Sequence, residues 1–258
     1  MKMSISSDMS IVRQAFLTSS KQATYAAMVA LNATAEKGRV AVVKEMRSVF
    51  DRPTPWVLNS LRIKYASRTK LMAELAHKDR NSAESSRSMV APHVTGGERH
   101  FKAMEARLLG TGLIPKGYNA VPGGAAKLNA NGNMSPGQIT QVLNVLGTYT
   151  EAGYNKANSK TVTRLAKGRV KKNIYGFVYW VNPVSGPGRQ RHLQPGVYQR
   201  VTTGFGSSLK PILIFVRQAR YRPRLDFFGI AQTTVDKEFP AEFGKAFSAA
   251  MATATPSN

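Results

Sequence analysis

The sequence predicts an α+β fold with a long N-terminal helix, an antiparallel sheet of about five strands, a C-terminal helix and a long irregular insert with two short helices. Three observations support this prediction. Apolar residues follow helical spacing near the N-terminus, β-branched and aromatic runs cluster between residues 173 and 219, and phenylalanines recur every four residues near the C-terminus. The chain has 258 residues, of which 42% are hydrophobic and 20% charged, as in ordinary globular proteins.

The first element is a helix predicted from Lys21 to Phe50. It should end there because Pro53 and Pro55 cannot continue it. We interpret its apolar stripe as core or subunit contact. The stripe consists of Met28, Leu31, Ala35, Val42, Met46 and Val49.

A β-hairpin should follow the helix. In "NSLRIKYAS", Leu61, Ile63 and Tyr65 alternate with basic residues, and in "KLMAELAHK" the residues Leu71, Ala73 and Leu75 share a face. The intervening "SRT" could close the hairpin. We therefore divide the N-terminal part into an arm, residues 1–20, and the first piece of the core domain, residues 21–80.

Residues 81–172 form the predicted insert. Residues 81–97 are small and polar, as in a loop, and "GERHFKAMEARLLG" follows as a short helix that we expect Gly110 to cap. A segment rich in Gly, Pro and Asn comes next, which we interpret as an ordered functional excursion. It ends at a second short helix, "PGQITQVLNVLG", with Ser135 as N-cap and Gln138 closing a capping box.

The rest of the insert, residues 151–172, reads as a polar basic arm. Residues 173–254 complete the core domain. The strings "IYGFVYWV", "GVYQRV" and "PILIFVRQA" have strand composition and should lie in the middle of an antiparallel sheet. In the final helical region Pro240 should kink the helix or begin a second one.

The charge is strongly and unevenly positive. The chain has 37 Lys and Arg against 14 Asp and Glu, a formal charge of +23. Between residues 106 and 225 there are eighteen basic residues and one acidic residue, Glu151. Such a field attracts nucleic acid, acidic protein surfaces or anionic lipid. The sequence has no apolar run of the roughly 20 residues that a membrane span needs, so we expect no membrane partner.

No pattern typical of catalysis is present, and we predict a protein that is not an enzyme. There is no cysteine, which excludes disulfides and thiolate metal sites. The sequence contains no GxxxxGK[ST] string of nucleotide-binding proteins and no GxSxG string, and His77, His93, His100 and His192 form no metal-binding pair. We therefore predict no catalytic residue, no metal site, no cofactor and no small-molecule substrate.

One stretch partly matches an RNA-recognition submotif. In "NIYGFVYW", Tyr175, Gly176, Phe177, Val178 and Trp180 fall at the expected places, but the initial basic residue and glycine of the motif are missing. We interpret these aromatic residues mainly as core.

The basic cluster "KTVTRLAKGRVKK" has no acidic neighbour in sequence, and a second cluster, "RQARYRPR", places four arginines around Tyr221. Solvated surfaces usually mix both signs, and neither string does. We predict that they contact an acidic partner or nucleic acid. The predicted contact residues are Lys160, Arg164, Lys167, Arg169, Lys171, Lys172, Arg217, Arg220, Arg222 and Arg224.

The segment "YAAMVALNATAEKGRVAVVKEMRSVF" resembles the opening of phage minor tail protein Z and related virion-morphogenesis proteins. Three later segments, "RPTPWVLNSLRIKYAS", "GNMSPGQITQVLN" and "ARYRPRLDFFGIAQTTVDKEFPAEFGKAF", resemble uncharacterised proteins encoded among phage structural genes. The residues that carry the first resemblance are Ala30, Leu31, Asn32, Thr34, Ala35, Lys37, Val42, Val43 and Glu45.

This resemblance implies a structural virion protein of a tailed bacteriophage, a tail-completion or head–tail joining component that forms a ring. Its expected partners are other copies of itself, portal, connector or tail-tube proteins, and packaged double-stranded DNA as a further candidate. Its expected location is the tail or the head–tail junction of the virion, after assembly in the host cytoplasm. The alternative is a nucleic-acid-binding protein without sequence preference that uses the same basic clusters.

Overall fold

The computed structural model describes residues 2–4, 20–78, 86–149, 157–168, 175–203, 206–218 and 220–253. The helices are α1 (Ser20–Val49), α2 (Pro55–Leu58), α3 (Ser86–Thr95), α4 (Ala103–Gly110), α5 (Pro136–Val145), α6 (Ser159–Lys167) and α7 (Phe227–Ala252). The strands are β1 (Lys2–Ser4), β2 (Leu61–Lys64), β3 (Glu74–His77), β4 (Gly97–Glu98), β5 (Tyr118–Pro122), β6 (Phe177–Asn182), β7 (Gly196–Thr203), β8 (Gly206–Arg217) and β9 (Arg220–Tyr221).

These elements confirm the α+β class, the long N-terminal helix, the antiparallel strands and the C-terminal helix. The strands lie in three sheets, of three, two and four strands, rather than in one sheet of about five. The chain also divides into two compact units. Unit 1 comprises Met1–Arg99 and Tyr221–Asn258, and unit 2 comprises His100–Arg220.

At the centre of unit 1, helix α1 packs against helix α7. Small side chains such as Ala27 and Ala30 allow close approach of the helices, and Phe239 and Phe243 fill the space between them. The predicted stripe of α1 is therefore core at Leu31, Ala35, Val42 and Met46. The structure shows α7 as one continuous helix through Pro240, and not as two pieces.

A three-stranded antiparallel sheet, in the order β1-β3-β2, also belongs to unit 1. The predicted pairing of β2 with β3 is confirmed, with Leu61 opposite His77 and Lys64 opposite Glu74. The connection is longer than predicted and spans residues 65–73, with a turn in which Ser67 and Lys70 exchange backbone hydrogen bonds. Residues 2–4 were assigned to an arm, but they form β1 and pair with β3.

Residues 86–95 form helix α3, where the sequence predicted a loop. Val90 is buried in a cluster that includes Leu75 and Phe227. Burial of apolar side chains thus stabilises a helix that its Ser-rich sequence and internal Pro92 disfavour. Strand β4 pairs with β9 in the two-stranded sheet.

Unit 2 is a four-stranded antiparallel sheet in the order β5-β8-β7-β6. Leu108 of α4 and Val142 and Leu143 of α5 form one core with Val197 and Phe215 of the sheet. Strand β5 comes from the segment predicted to be an irregular excursion, so this part of the expected insert supplies a core strand. Strands β7 and β8 lie in the middle of the sheet as predicted, whereas β6 lies at an edge.

The ends of the two short predicted helices are partly as expected. The Ser135 hydroxyl caps α5 by accepting a bond from the Gln138 backbone N–H at 3.4 Å. Gln138 does not close a capping box, because its Oε1 accepts from the backbone N–H of Lys127 at 2.7 Å. Gly110 lies inside α4, and the left-handed conformation occurs instead at Gly112, with φ 73°.

Candidate functional site

Helix α6 carries the first predicted basic cluster. It begins at the N-cap Asn158, whose Oδ1 accepts from the backbone N–H of Thr161 at 2.8 Å, and it ends at Gly168, which has φ 66°. The helix lies directly against the start of β6, where Gly176 is required because a Cβ there would overlap the carbonyl oxygen of Ala166. This close approach fixes the orientation of α6 within unit 2.

The structure places Lys160, Arg164 and Lys167 together. All three are exposed, and their i, i+4, i+7 spacing puts them on one side of α6. The sequence predicted a basic arm here, but residues 159–167 are a helix, because the N-cap and the contact with β6 stabilise it. The other three cations predicted in this cluster, Arg169, Lys171 and Lys172, lie outside the described residues.

The second predicted cluster is divided between the two units. Arg217 ends β8 and Arg220 lies in β9, both in unit 2, whereas Arg222 and Arg224 belong to unit 1. The four arginines therefore do not form one surface within a unit. All four side chains are exposed.

Arg224 has a structural role in unit 1. Its guanidinium donates to the carbonyl oxygen of Val49 at 3.3 Å, and its backbone N–H donates to the carbonyl oxygen of His93 at 2.7 Å. The His93 ring packs edge-on against Phe50 and Tyr221, each with ring centroids 5.0 Å apart. Burial and the positive charge of Arg224 lower the pKa of His93.

Acidic side chains are almost absent from unit 2. The unit contains two, Glu105 and Glu151, and Glu151 lies outside the described residues. Glu105 is completely buried, where it accepts from the backbone N–H groups of Lys102 at 2.8 Å and Ala120 at 2.9 Å. The described surface of unit 2 thus exposes cations and no carboxylate side chain.

The aromatic stretch that partly matches the RNA-recognition submotif is divided between core and surface, so the prediction of a mainly core role holds for Phe177 and Tyr179, whereas Val178 is exposed. Phe177 packs against the core of unit 2, and the neighbouring Tyr179 is buried in it. The Tyr179 hydroxyl donates to Oε1 of Gln141 at 3.0 Å, and burial raises its pKa. On the next position of β6, Trp180 stacks on Tyr198 with ring centroids 5.5 Å apart. Tyr175 is exposed.

An open groove of about 690 Å³ lies beside Phe177 and Tyr179, which form part of its lining. Its cationic side chains are Lys127 and Lys210, and its polar lining includes Gln141 and Gln199. Lys210 lies opposite Gln199 in the β7–β8 pair. Neither lysine belongs to a basic cluster of the sequence, because each stands alone there and the folded sheet brings the two to one groove.

Sequence reasoning also missed the β6–β7 loop, residues 183–195. Asn182, at the end of β6, is fully buried, and its side chain bonds to Gln190, Leu193 and Gln194 of that loop. The loop exposes Arg189, Arg191 and His192. The one sequence signal was the string "GRQRH", a third short basic run.

Two other kinds of site are absent from the described residues. They contain no group of three or more His, Asp or Glu residues that could hold a metal ion. None of their helices is both long and apolar enough to span a bilayer. The chain matches no family model, no curated protein and no solved structure.

Proposed function

We propose that this chain is a structural protein of a tailed bacteriophage virion, a tail-completion or head–tail joining component that acts without catalysis. In this proposal it assembles as a ring at the tail or connector, and unit 2 docks on a polyanionic partner. The resemblance of α1 and of three later segments to phage morphogenesis proteins supports the virion role.

The observation that carries the docking role is the single sign of the charged side chains that the described part of unit 2 exposes. An isolated surface of one sign repels itself, and neighbouring acidic residues usually offset this repulsion. In unit 2 the described acidic residue, Glu105, is buried and bonded to backbone. The exposed cations therefore gain most when an acidic rim of a portal, connector or tube protein, or packaged DNA, lies against them.

A ring also needs a surface for contact between copies. Unit 1 exposes seven large apolar side chains among its described residues, and Val40, Trp56 and Tyr65 are the most exposed of them, each by about half. Aromatic side chains exposed in this way are enriched at protein interfaces. We assign self-contact to unit 1 and docking to unit 2.

The test is quantitative mass spectrometry of purified virions, combined with a charge variant. A small fixed copy number compatible with a ring is the expected result. The variant K160S/R164S/K167S should assemble poorly, because it removes the three exposed cations of α6. Its control, R62S/K70S/K245S, removes two lysines and one arginine from exposed positions of unit 1 and should assemble normally.

Absence of the protein from virions would refute the virion role. Normal infectious particles from the α6 variant would instead refute the docking role of α6 and leave the virion role standing.

A second candidate function is nucleic-acid binding without sequence preference. The specific observation in its favour is the row of Lys160, Arg164 and Lys167 along one side of α6, on a unit with no exposed carboxylate side chain among its described residues. A phosphate binder loses affinity linearly in log salt, with a slope that counts its phosphate contacts. A ring component that docks only on protein should bind DNA weakly and show no such slope.

A further inference from the structure

We propose that the β6–β7 loop, residues 183–195, is a preformed phosphate-binding loop that contacts the backbone of nucleic acid through Arg189 and Arg191. The inference rests on the second candidate function above and deepens it by naming the contact. Neither arginine belongs to the two basic clusters predicted from the sequence.

The loop is held by one buried side chain. Asn182 shares the two N–H groups of its amide among the carbonyl oxygens of Gln190, Leu193 and Gln194, each at 3.1 Å. Its Oδ1 accepts from the backbone N–H of Gln190 at 2.7 Å. Because Asn182 is fully buried, these bonds are shielded from water, and breaking them would leave polar groups unpaired.

Further bonds fix the return of the loop to the sheet. The Tyr198 hydroxyl donates to the carbonyl oxygen of Gln194 at 2.9 Å, and the backbone N–H of Phe215 donates to the carbonyl oxygen of Pro195 at 2.8 Å. Glycines at 186 and 188 supply the positive φ angles, 88° and 82°, of the turn at its tip.

The cationic side chains of the loop lie next to the residues that bond to Asn182. Arg191 and His192 stand between Gln190 and Leu193, both of which bond to Asn182, and Arg189 directly precedes Gln190. The backbone that carries these side chains is therefore already ordered before any partner binds. Binding then costs less conformational entropy than it would for a loose loop.

The two arginines are exposed and have no acidic partner in the described part of unit 2, where Glu105 is buried. A guanidinium group matches the geometry of a phosphate with two parallel N–H donors. An external anion would thus supply the acidic partner that the described part of unit 2 does not offer these arginines.

The charge pattern favours nucleic acid over an acidic protein. Protein–protein interfaces are depleted in charged residues at their core and in lysine, whereas interfaces with nucleic acid are much more positively charged. Unit 2 has seventeen Lys and Arg and two acidic residues, and the described acidic residue is inside. A described surface with exposed charges of one sign is typical of a surface that faces phosphates.

The test is binding of the full chain to a short fluorescent DNA duplex across a range of salt concentrations, with two unrelated sequences. The variant R189S/R191S should raise the Kd about tenfold and reduce the steepness of log K against log salt by about 1.8, since each lost phosphate contact accounts for about 0.9. The control R47S/R62S removes two exposed arginines of unit 1 and should leave both quantities unchanged.

The variant Asn182→Ala distinguishes the effect of the loop's fixed conformation from the effect of its two positive charges. It keeps both arginines but removes the bonds that hold the loop, so affinity should fall several-fold with the salt slope unchanged. Circular dichroism and the Tm show whether this variant is folded. If it is not, the arginine variant still decides the proposal, because its substitutions are at exposed positions.

Three outcomes overturn the inference. If the wild-type chain binds neither duplex, the nucleic-acid function fails and the loop contact fails with it. If the wild type binds with a steep salt slope and R189S/R191S binds equally well, nucleic-acid binding stands and the loop is not its contact. If R189S/R191S binds DNA normally but loses binding to polyglutamate, the loop contacts acidic protein instead.

Discussion

Unit 1 and unit 2 carry similar numbers of cations but differ in what balances them. Unit 1 has twenty Lys and Arg and twelve Asp and Glu, while unit 2 has seventeen and two. In unit 1 the charges meet in ion pairs, such as those from Lys37 to Glu238 at 2.6 Å and to Glu242 at 2.8 Å. In unit 2 the described carboxylate is buried and bonded to backbone.

The difference separates two tasks within one chain. Unit 1 neutralises much of its own surface and buries a helix–helix core, which suits a stable framework. Unit 2 leaves its charge uncompensated, which costs stability through self-repulsion and is offset when an anion binds. We therefore expect the stability of unit 1 to depend mainly on its helix–helix core. The stability of unit 2 should depend more on its buried carboxylate and on repulsion between its cations.

The largest effect should come from the helix–helix core of unit 1. Phe243 is buried between Phe239 and Phe247, with ring centroids 6.1 and 5.8 Å away. Phe243→Ala should lower the free energy of unfolding of unit 1 by about 4 kcal/mol, because a cavity replaces the ring. Amide hydrogen exchange should show faster exchange in α1 and α7, with β7 and β8 unchanged.

Phe228→Ala is the control on the same helix, since Phe228 is exposed, and it should cost about 1 kcal/mol or less. Equal loss of protection in both units after Phe243→Ala would show that they do not unfold separately.

A smaller effect should follow from removing the buried carboxylate of unit 2. Glu105→Ala leaves the backbone N–H groups of Lys102 and Ala120 without their acceptor and should destabilise unit 2 by about 3 kcal/mol. Glu105→Gln keeps one acceptor oxygen and should cost less. The expected readout is loss of amide protection at β5 and at the start of α4, with α1 and α7 unaffected. Unchanged exchange at β5 would contradict the role assigned to this carboxylate.

Long apolar periodicity in the sequence predicted the helices of unit 1 well. Helix α1 was predicted over residues 21–50 and spans Ser20–Val49, because its stripe alone specifies a buried face. Strand β5 was not predicted, since its short sequence lies among Gly and Pro residues and becomes a strand through pairing of Ala120 with Phe215. Pattern matching within the sequence does not reveal such a distant partner.

The candidate site was predictable only where its residues are close in the sequence. The three cations of α6 follow helical spacing and were selected, but the lysines of the groove, Lys127 and Lys210, come together only in the folded sheet. Asn182 precedes a proline and looks like an ordinary turn residue. It holds the loop only because residues 190–194 return to the end of β6, and this is a tertiary contact that the local sequence does not indicate.

The substitution with the smallest expected effect on stability is the most direct test of the difference in charge balance between unit 1 and unit 2. Lys160 lies in the first turn of α6, four residues before Arg164. Lys160→Glu places an acid near the positive end of the helix dipole and four residues before a cation. Both changes are favourable, and together they should stabilise unit 2 by about 0.5 kcal/mol. The same substitution at Lys245 of α7 in unit 1, three residues after Glu242, adds a like-charge pair and should destabilise by about 0.3 kcal/mol.

Salt supplies the measurement for this prediction. Raising NaCl from about 0.05 M to about 0.5 M shortens the screening length to several ångströms and should raise the Tm of wild-type unit 2 by a few degrees relative to unit 1. Lys160→Glu should reduce that difference, because it removes part of the repulsion that salt screens. Equal salt responses of the two units, or stabilisation by both substitutions, would mean that the described surface of unit 2 is not under the electrostatic strain that its uncompensated charge implies.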